Sequence, residues 1–179
     1  MMLVIDVCDE KMHSAEFSSP VANMVKKFGD AKIVHYLELK HEDIDNSSGV
    51  IICGTALKDD NYLDNLDKFE WLLYYDKKVL GICAGMQLIS LVFGGKKIGP
   101  ELEIGKTEVF FKNTPFNMRE SEYVYSLHKT AVSCPPSFKP YGESKKCIQM
   151  IGHDKKRIWG VMFHPEVMNE KIIEKFCGM

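Results

Sequence analysis

Short apolar runs alternate along the chain with longer mixed segments. LVIDV (3–7), AKIVHYL (31–37), GVIICG (49–54) and KVLGIC (78–83) are the runs, and runs such as VIIC and VLGIC show little polar alternation, as expected of parallel strands covered on both faces. The intervening segments carry helical signals. In SSPVANMVKKFGD, Ser18 or Ser19 can cap a helix with Pro20 at its first position, Val21, Met24, Val25 and Phe28 fall at helical spacing, and Gly29 ends it. LDKFEWLLYYD (66–76) predicts a second helix, and a third runs from about Gly85 to Phe93 before Gly94 and Gly95 stop it. This rhythm predicts βαβ units and an α/β fold.

Beyond residue 100 the pattern changes. TEVFF (107–111), YVYSLH (123–128), CIQMIG (147–152) and RIWGVMF (157–163) read as strands joined by turns containing Pro115, Pro135-Pro136 and Gly142, which would add antiparallel strands to the sheet. EVMNEKIIEKF (166–176) predicts a last amphipathic helix with Val167, Ile172, Ile173 and Phe176 on one face. With 179 residues, 45% of them hydrophobic, the chain suits one core, so a single domain over 1–179 is expected. A net charge of −2 with mixed signs leaves no electrostatic footprint for nucleic acid or an anionic membrane. No stretch approaches the ~20 apolar residues of a membrane span, so a soluble protein of a reducing, cytoplasmic compartment is expected.

Six cysteines at 8, 53, 83, 134, 147 and 177 form no C-x-x-C pair, which points away from a metal site or redox couple. One stands apart. Cys83 lies where a strand turns into a helix, flanked as G-x-C-x-G by Gly81 and Gly85. Such an elbow exposes its junction side chain at a helix N-terminus, where free N–H groups and the dipole favour a thiolate. A thiol nucleophile also needs a proton acceptor and a group to orient it. His164-Pro165-Glu166 offers both, since residues i and i+2 of an extended segment point the same way and the proline disfavours a helix. Taken alone, the same tripeptide could simply open a helix.

The two motifs together resemble those of the class I, triad-type glutamine amidotransferases, whose elbow G-x-C-x-G-x-Q is matched by Gly81 to Gln87 and whose H-P-E is matched by 164–166. The resemblance implies a flavodoxin-like three-layer α/β sandwich with a mostly parallel central sheet and added antiparallel strands. It implies that Cys83 attacks the side-chain amide of L-glutamine, that His164 moves the proton and that Glu166 orients the imidazole. Ala84 and Thr55 would supply the oxyanion-hole N–H groups, with Thr55 standing where the family has a glycine. Gln87 and Gly54 would bind substrate, and His128 would sit at the site rim or face a partner. No metal or organic cofactor is implied in this chain, ATP and Mg being expected only on the receiving synthase.

Ser126-Leu127-His128-Lys129-Thr130-Ala131-Val132 is similar to the S-H-K-x-x-V stretch of stand-alone glutaminase subunits of archaeal GMP synthase, which implies that the partner is a separate ATP-pyrophosphatase subunit. Gly105-Lys106-Thr107 instead resembles the H-G-K-T segment of anthranilate and aminodeoxychorismate synthase subunits. A γ-glutamyl hydrolase shares the elbow, and a non-catalytic regulatory subunit is a further alternative.

Overall fold

A computed structural model describes residues 1–179. Nine strands form one sheet: β1 (Met2–Asp6), β2 (Ala31–His35), β3 (Gly49–Ile52), β4 (Lys78–Ile82), β5 (Lys97–Phe111), β6 (Ser121–Val132), β7 (Phe138–Glu143), β8 (Ile148–His153) and β9 (Ile158–Val161). Their spatial order is β2-β1-β3-β4-β9-β8-β7-β5-β6. The first five in that order pair in parallel, and the remaining neighbours pair antiparallel. A parallel central sheet extended by antiparallel strands is thus the arrangement that the resemblance implies.

The central strands are apolar because helices cover both faces. β1, β3 and β4 are buried at every position. One side packs Leu3, Ile5, Val50, Ile52, Val79 and their neighbours into a core beneath α4 (Ala84–Val92). On the other, Val4, Ile51, Leu80 and Ile82 meet α2 (Ser18–Val25) and α5 (Lys171–Gly178). Two short helices, α1 (Lys11–Glu16) and α3 (His41–Asp45), complete the crossovers.

Several sequence expectations are corrected. Ser18 does not cap α2: its hydroxyl donates to Asp6 Oδ1 at 2.9 Å, Phe17 holds the cap position, and Pro20 is the third residue of the helix. Phe28 lies beyond the helix and is exposed. Residues 66–73 wind as a 3-10 helix, burying Phe69 and Leu72. The final helix starts five residues later than expected, so Val167 is exposed. Gly142 is within β7, an unanticipated strand, because a Cβ there would lie 2.6 Å from the Phe111 ring of the neighbouring β5.

Lys78 ties the last helix to the sheet. Buried at the start of β4, its ammonium donates to the carbonyls of Phe176 and Cys177, both at 2.8 Å, supplying acceptors at a helix end with the hydrogen bonds they would otherwise lack. Lys78→Met keeps the apolar stem but removes both bonds. It is expected to lower the unfolding free energy by roughly 1–3 kcal/mol, read from urea denaturation.

Candidate active site

Register brings the motif residues together. Ile52 pairs with Gly81 across β3 and β4, and Ile82 pairs with Val161 across β4 and β9. Continuing those pairings past the carboxyl ends of the strands sets Gly54 beside Cys83, with the chain carrying His164 emerging next to them. The carboxyl edge of a parallel sheet is also where α/β folds bind ligands. The His164 amide donates to Tyr125 O at 2.8 Å, anchoring this turn to β6.

Cys83 occupies the elbow in a conformation that L-residues avoid, with φ 50° and ψ −103°. Close packing of α4 on the strands enforces the turn: a Cβ on Gly85 would come within 2.2 Å of Ile52 O. The Cys83 thiol donates to Leu127 O at 3.5 Å. His164 is buried, and its Nδ1 lies 2.7 Å from Glu166 Oε1, leaving Nε2 with no hydrogen-bond partner. Residues 164–168 form a tight turn, with the amides of Val167 and Met168 both donating to His164 O, rather than the extended segment expected. The imidazole and carboxylate meet all the same.

Gly54 shows how near the imidazole is to the cysteine. A Cβ there would stand 2.6 Å from His164 Cε1 and 3.2 Å from Cys83 Cβ, so only glycine lets the two side chains approach. Burial disfavours the imidazolium, but attraction to Cys83, reinforced by the hydrogen bond and charge of Glu166, outweighs it and pushes the His164 pKa up to about 10.

The other sequence candidates gather around the same point. Thr55, Tyr62, Cys83, Ala84, Gln87, Leu127 and His128 line a cavity of about 20 Å³. Ala84 begins α4, so its N–H has no acceptor within the helix. The Thr55 amide makes no backbone hydrogen bond, and its φ is not positive, so the threonine needs no glycine-like conformation. Its hydroxyl donates to Asp59 Oδ2 at 2.6 Å. Gln87 is engaged within the protein, accepting from Tyr62 Oη at 2.5 Å and donating to Thr130 O at 2.9 Å. His128 faces inward, only 2% exposed, so its side chain presents nothing to a partner.

The sequence did not point to Tyr62, Leu127 or Asp59. Asp59 lies beneath the loop after β3, where Thr55, His13 and the Asp9 amide converge on Oδ2, and these hydrogen bonds outweigh burial to hold its carboxyl below the usual range. Asp60 pairs with Lys129 at 2.6 Å, joining this loop to β6. The cavity holds about one water, whereas small-molecule sites typically need roughly 300 Å³ or more. An amino acid can enter only when the two walls part, and an exposed ion pair resists that by no more than about 1 kcal/mol.

A sequence model described as "Glutamine amidotransferase class-I" matches residues 13–176. The chain belongs to the class I glutamine amidotransferases. A subunit of the glutamine-hydrolyzing GMP synthase of Pyrococcus abyssi is 35% identical in an alignment 156 positions long that covers 74% of this amidotransferase and 77% of that protein. The glutamine-hydrolyzing GMP synthase of Borreliella burgdorferi strain N40 is 28% identical in an alignment 166 positions long that covers 88% of this chain, which spans only 32% of that longer relative. Among solved structures, a Thermoplasma acidophilum protein described as one subunit of GMP synthase aligns with a TM-score of 0.87 and 25% identity, covering 99% of this chain and 92% of that one.

The strained elbow predicts an order of stabilities. Cys83→Gly should exceed Cys83→Ala in unfolding free energy by about 1 kcal/mol, because glycine relieves the backbone strain that alanine keeps; urea denaturation of the two variants checks it. The raised His164 pKa links stability to pH. A proton held more tightly in the folded state stabilises it fully below the ordinary value of 6.5 and progressively less as pH rises towards 10. The stability difference between the parent and His164→Ala should therefore shrink from pH 6 to about pH 10.

Proposed function

We propose that this chain is a glutaminase subunit that hydrolyses L-glutamine to glutamate and ammonia and delivers the ammonia to a separate ATP-dependent synthase. Family membership supports the reaction class. One observation carries the residue assignment: a buried imidazole held by Glu166 through Nδ1 keeps Nε2 free, and Gly54, lacking a side chain, lets that ring approach the cysteine of the elbow.

In this reading the Cys83 sulfur attacks the glutamine side-chain carbonyl carbon, and Nε2 of His164 holds the thiol proton. The amides of Ala84 and Thr55 receive the charge that develops on the carbonyl oxygen. Collapse of the tetrahedral species breaks the C–N bond, and the proton passes from His164 to the departing ammonia. Water then hydrolyses the γ-glutamyl thioester, giving glutamate and the free thiol. Glu166 keeps the imidazole oriented and its cation stabilised. Gln87 lines the cavity, where its bonds to Tyr62 and the Thr130 backbone hold it beside Cys83 for contact with the substrate, and Gly54 leaves room next to the sulfur. These steps call for no metal or organic cofactor, and ATP and Mg belong to the synthase.

The names of the relatives favour GMP synthase as the recipient, with its ATP-pyrophosphatase as the other component and the cytoplasm as the compartment. The membrane side is simple: no helix is long and apolar enough to cross one. The S-H-K-x-x-V stretch that suggested this recipient forms part of β6, and its Leu127 to Thr130 line the cavity, so it belongs to the site itself.

Mass spectrometry after treatment with a glutamine-analogue electrophile should find one adduct, on Cys83. Cys83→Ser is expected to lose glutamine hydrolysis, His164→Ala to lose nearly as much, and Glu166→Ala to lose less. Adding the ATP-pyrophosphatase component of a GMP synthase with its substrates and MgATP should raise hydrolysis and yield glutamine-dependent GMP. Failure of all three variants to alter turnover would remove the triad, and activation only by an anthranilate-type synthase would move the chain to that pathway.

A further inference from the structure

Behind the cavity wall, three side chains far apart in sequence converge at positions suited to a metal. Glu103 on β5 and His128 on β6 are cross-strand partners, and Cys147 immediately precedes β8. Glu103 Oε2 lies 3.1 Å from His128 Nε2 and 3.5 Å from Cys147 Sγ, and the three ligand atoms all fall within 4.8 Å of one another. Tetrahedral zinc, with bonds of about 2.0–2.1 Å to nitrogen and oxygen and about 2.3 Å to sulfur, separates N from O by roughly 3.3 Å and S from O by roughly 3.5 Å. The two distances from Glu103 Oε2 are close to those spacings.

The Gln149 amide nitrogen occupies the middle of this group in a way its chemistry does not explain. It lies 2.6 Å from Glu103 Oε2, 3.4 Å from His128 Nε2, 3.3 Å from Cys147 Sγ and 3.5 Å from Ser144 Oγ. An amide has two protons for four neighbours. With His128 Nε2–H donating to Glu103, the ring offers that amide no lone pair, and the 3.4 Å approach is a contact between two donors. Gln149 is completely buried, and its Oε1 has no partner. Four lone-pair donors around one point, with a frustrated amide on it, are the surroundings of a cation.

We propose that Glu103, His128 and Cys147 bind a zinc-type divalent cation, with the Gln149 amide turned aside and water as the fourth ligand. The mixed oxygen, nitrogen and sulfur set favours zinc over magnesium or calcium. A cysteine ligates as the thiolate, so binding exchanges a proton for the metal: the S–H bond breaks, the S–metal bond forms, and the proton leaves to solvent. Bound there, the ion fixes His128 and so stiffens the Leu127–Thr130 wall of the neighbouring cavity. The absence of a C-x-x-C pair hid this site, because its ligands meet only through the pairing of β5 with β6 and the approach of the turn before β8.

This inference does not depend on the glutaminase reading, as none of the three ligands belongs to the proposed triad. Titration of the metal-free Cys83→Ser chain with cobalt(II), a background chosen to remove the other thiol–imidazole pair, should give a thiolate-to-cobalt charge-transfer band at one equivalent. Zinc should abolish the band, and about one proton should be released per ion. Adding Cys147→Ser should remove the band and weaken zinc binding by at least about 10- to 100-fold, the loss known even for outer-sphere partners. Glu103→Gln, checked for an unchanged circular dichroism spectrum, should weaken binding similarly and stands in if Cys147→Ser unfolds. No band at stoichiometric cobalt, or a band that survives both substitutions, overturns the proposal.

Discussion

Backbone register across β3, β4 and β9 is the constraint on which the rest of the site depends. Each strand is only four or five residues long, so a slip of one residue in either pairing would turn every side chain to the opposite face. Cys83 would then turn away from His164, and Gly54 would no longer lie beside cysteine and imidazole. The register is held by complete burial of β3 and β4 on both faces, which ties the geometry of a reactive corner to ordinary hydrophobic packing.

A second layer of control comes from polar groups rather than apolar ones. Asp6 at the end of β1 accepts from the hydroxyls of Ser14 and Ser18 and from the Cys8 amide, fixing the start of α2 against the sheet. Asp59 does the same for the loop after β3 by gathering Thr55, His13 and Asp9. Both carboxyls sit below their usual pKa range, although burial alone would raise them, because the converging donors win. The loop that carries the Thr55 amide is thereby organised without a ligand, while the opposite wall stays joined to it by only a few breakable contacts.

What was legible in the sequence follows a physical rule. The G-x-C-x-G elbow and the H-P-E segment are local, so their residue types report their own backbone and packing demands; the elbow forms with its cysteine buried rather than exposed, and H-P-E brings imidazole and carboxylate together through a tight turn rather than an extended segment. The parallel strands were visible because two-sided burial makes them continuously apolar. β7 was not, since FKPYGE carries a proline and a glycine that usually mark turns, and only the close fit of Gly142 against Phe111 explains the strand. Residues 66–73 have helical spacing, yet they wind as a tighter 3-10 segment that buries Phe69 and Leu72 against the core. His128 was recognised as belonging near the site, but its partners Glu103 and Gln149 sit 25 and 21 residues away, where no spacing rule applies.

Folding alone would not distribute unpaired polar atoms as this chain does. Six buried side-chain atoms lack a hydrogen-bond partner, and five of them belong to Ser126, His128, Gln149, His164 and Glu166, on or just after β6, β8 and β9. The sixth, on Trp71, lies in the 3-10 segment on another part of the surface. Each such atom costs roughly 1–3 kcal/mol relative to a satisfied one, so a cluster of five is a concentrated destabilisation within an otherwise well-bonded sheet. Stability given up in one place, at groups able to move protons or ligate cations, is what a reactive centre requires: a free Nε2 beside a thiol, and an imidazole and carboxylate whose needs are met only when something else arrives.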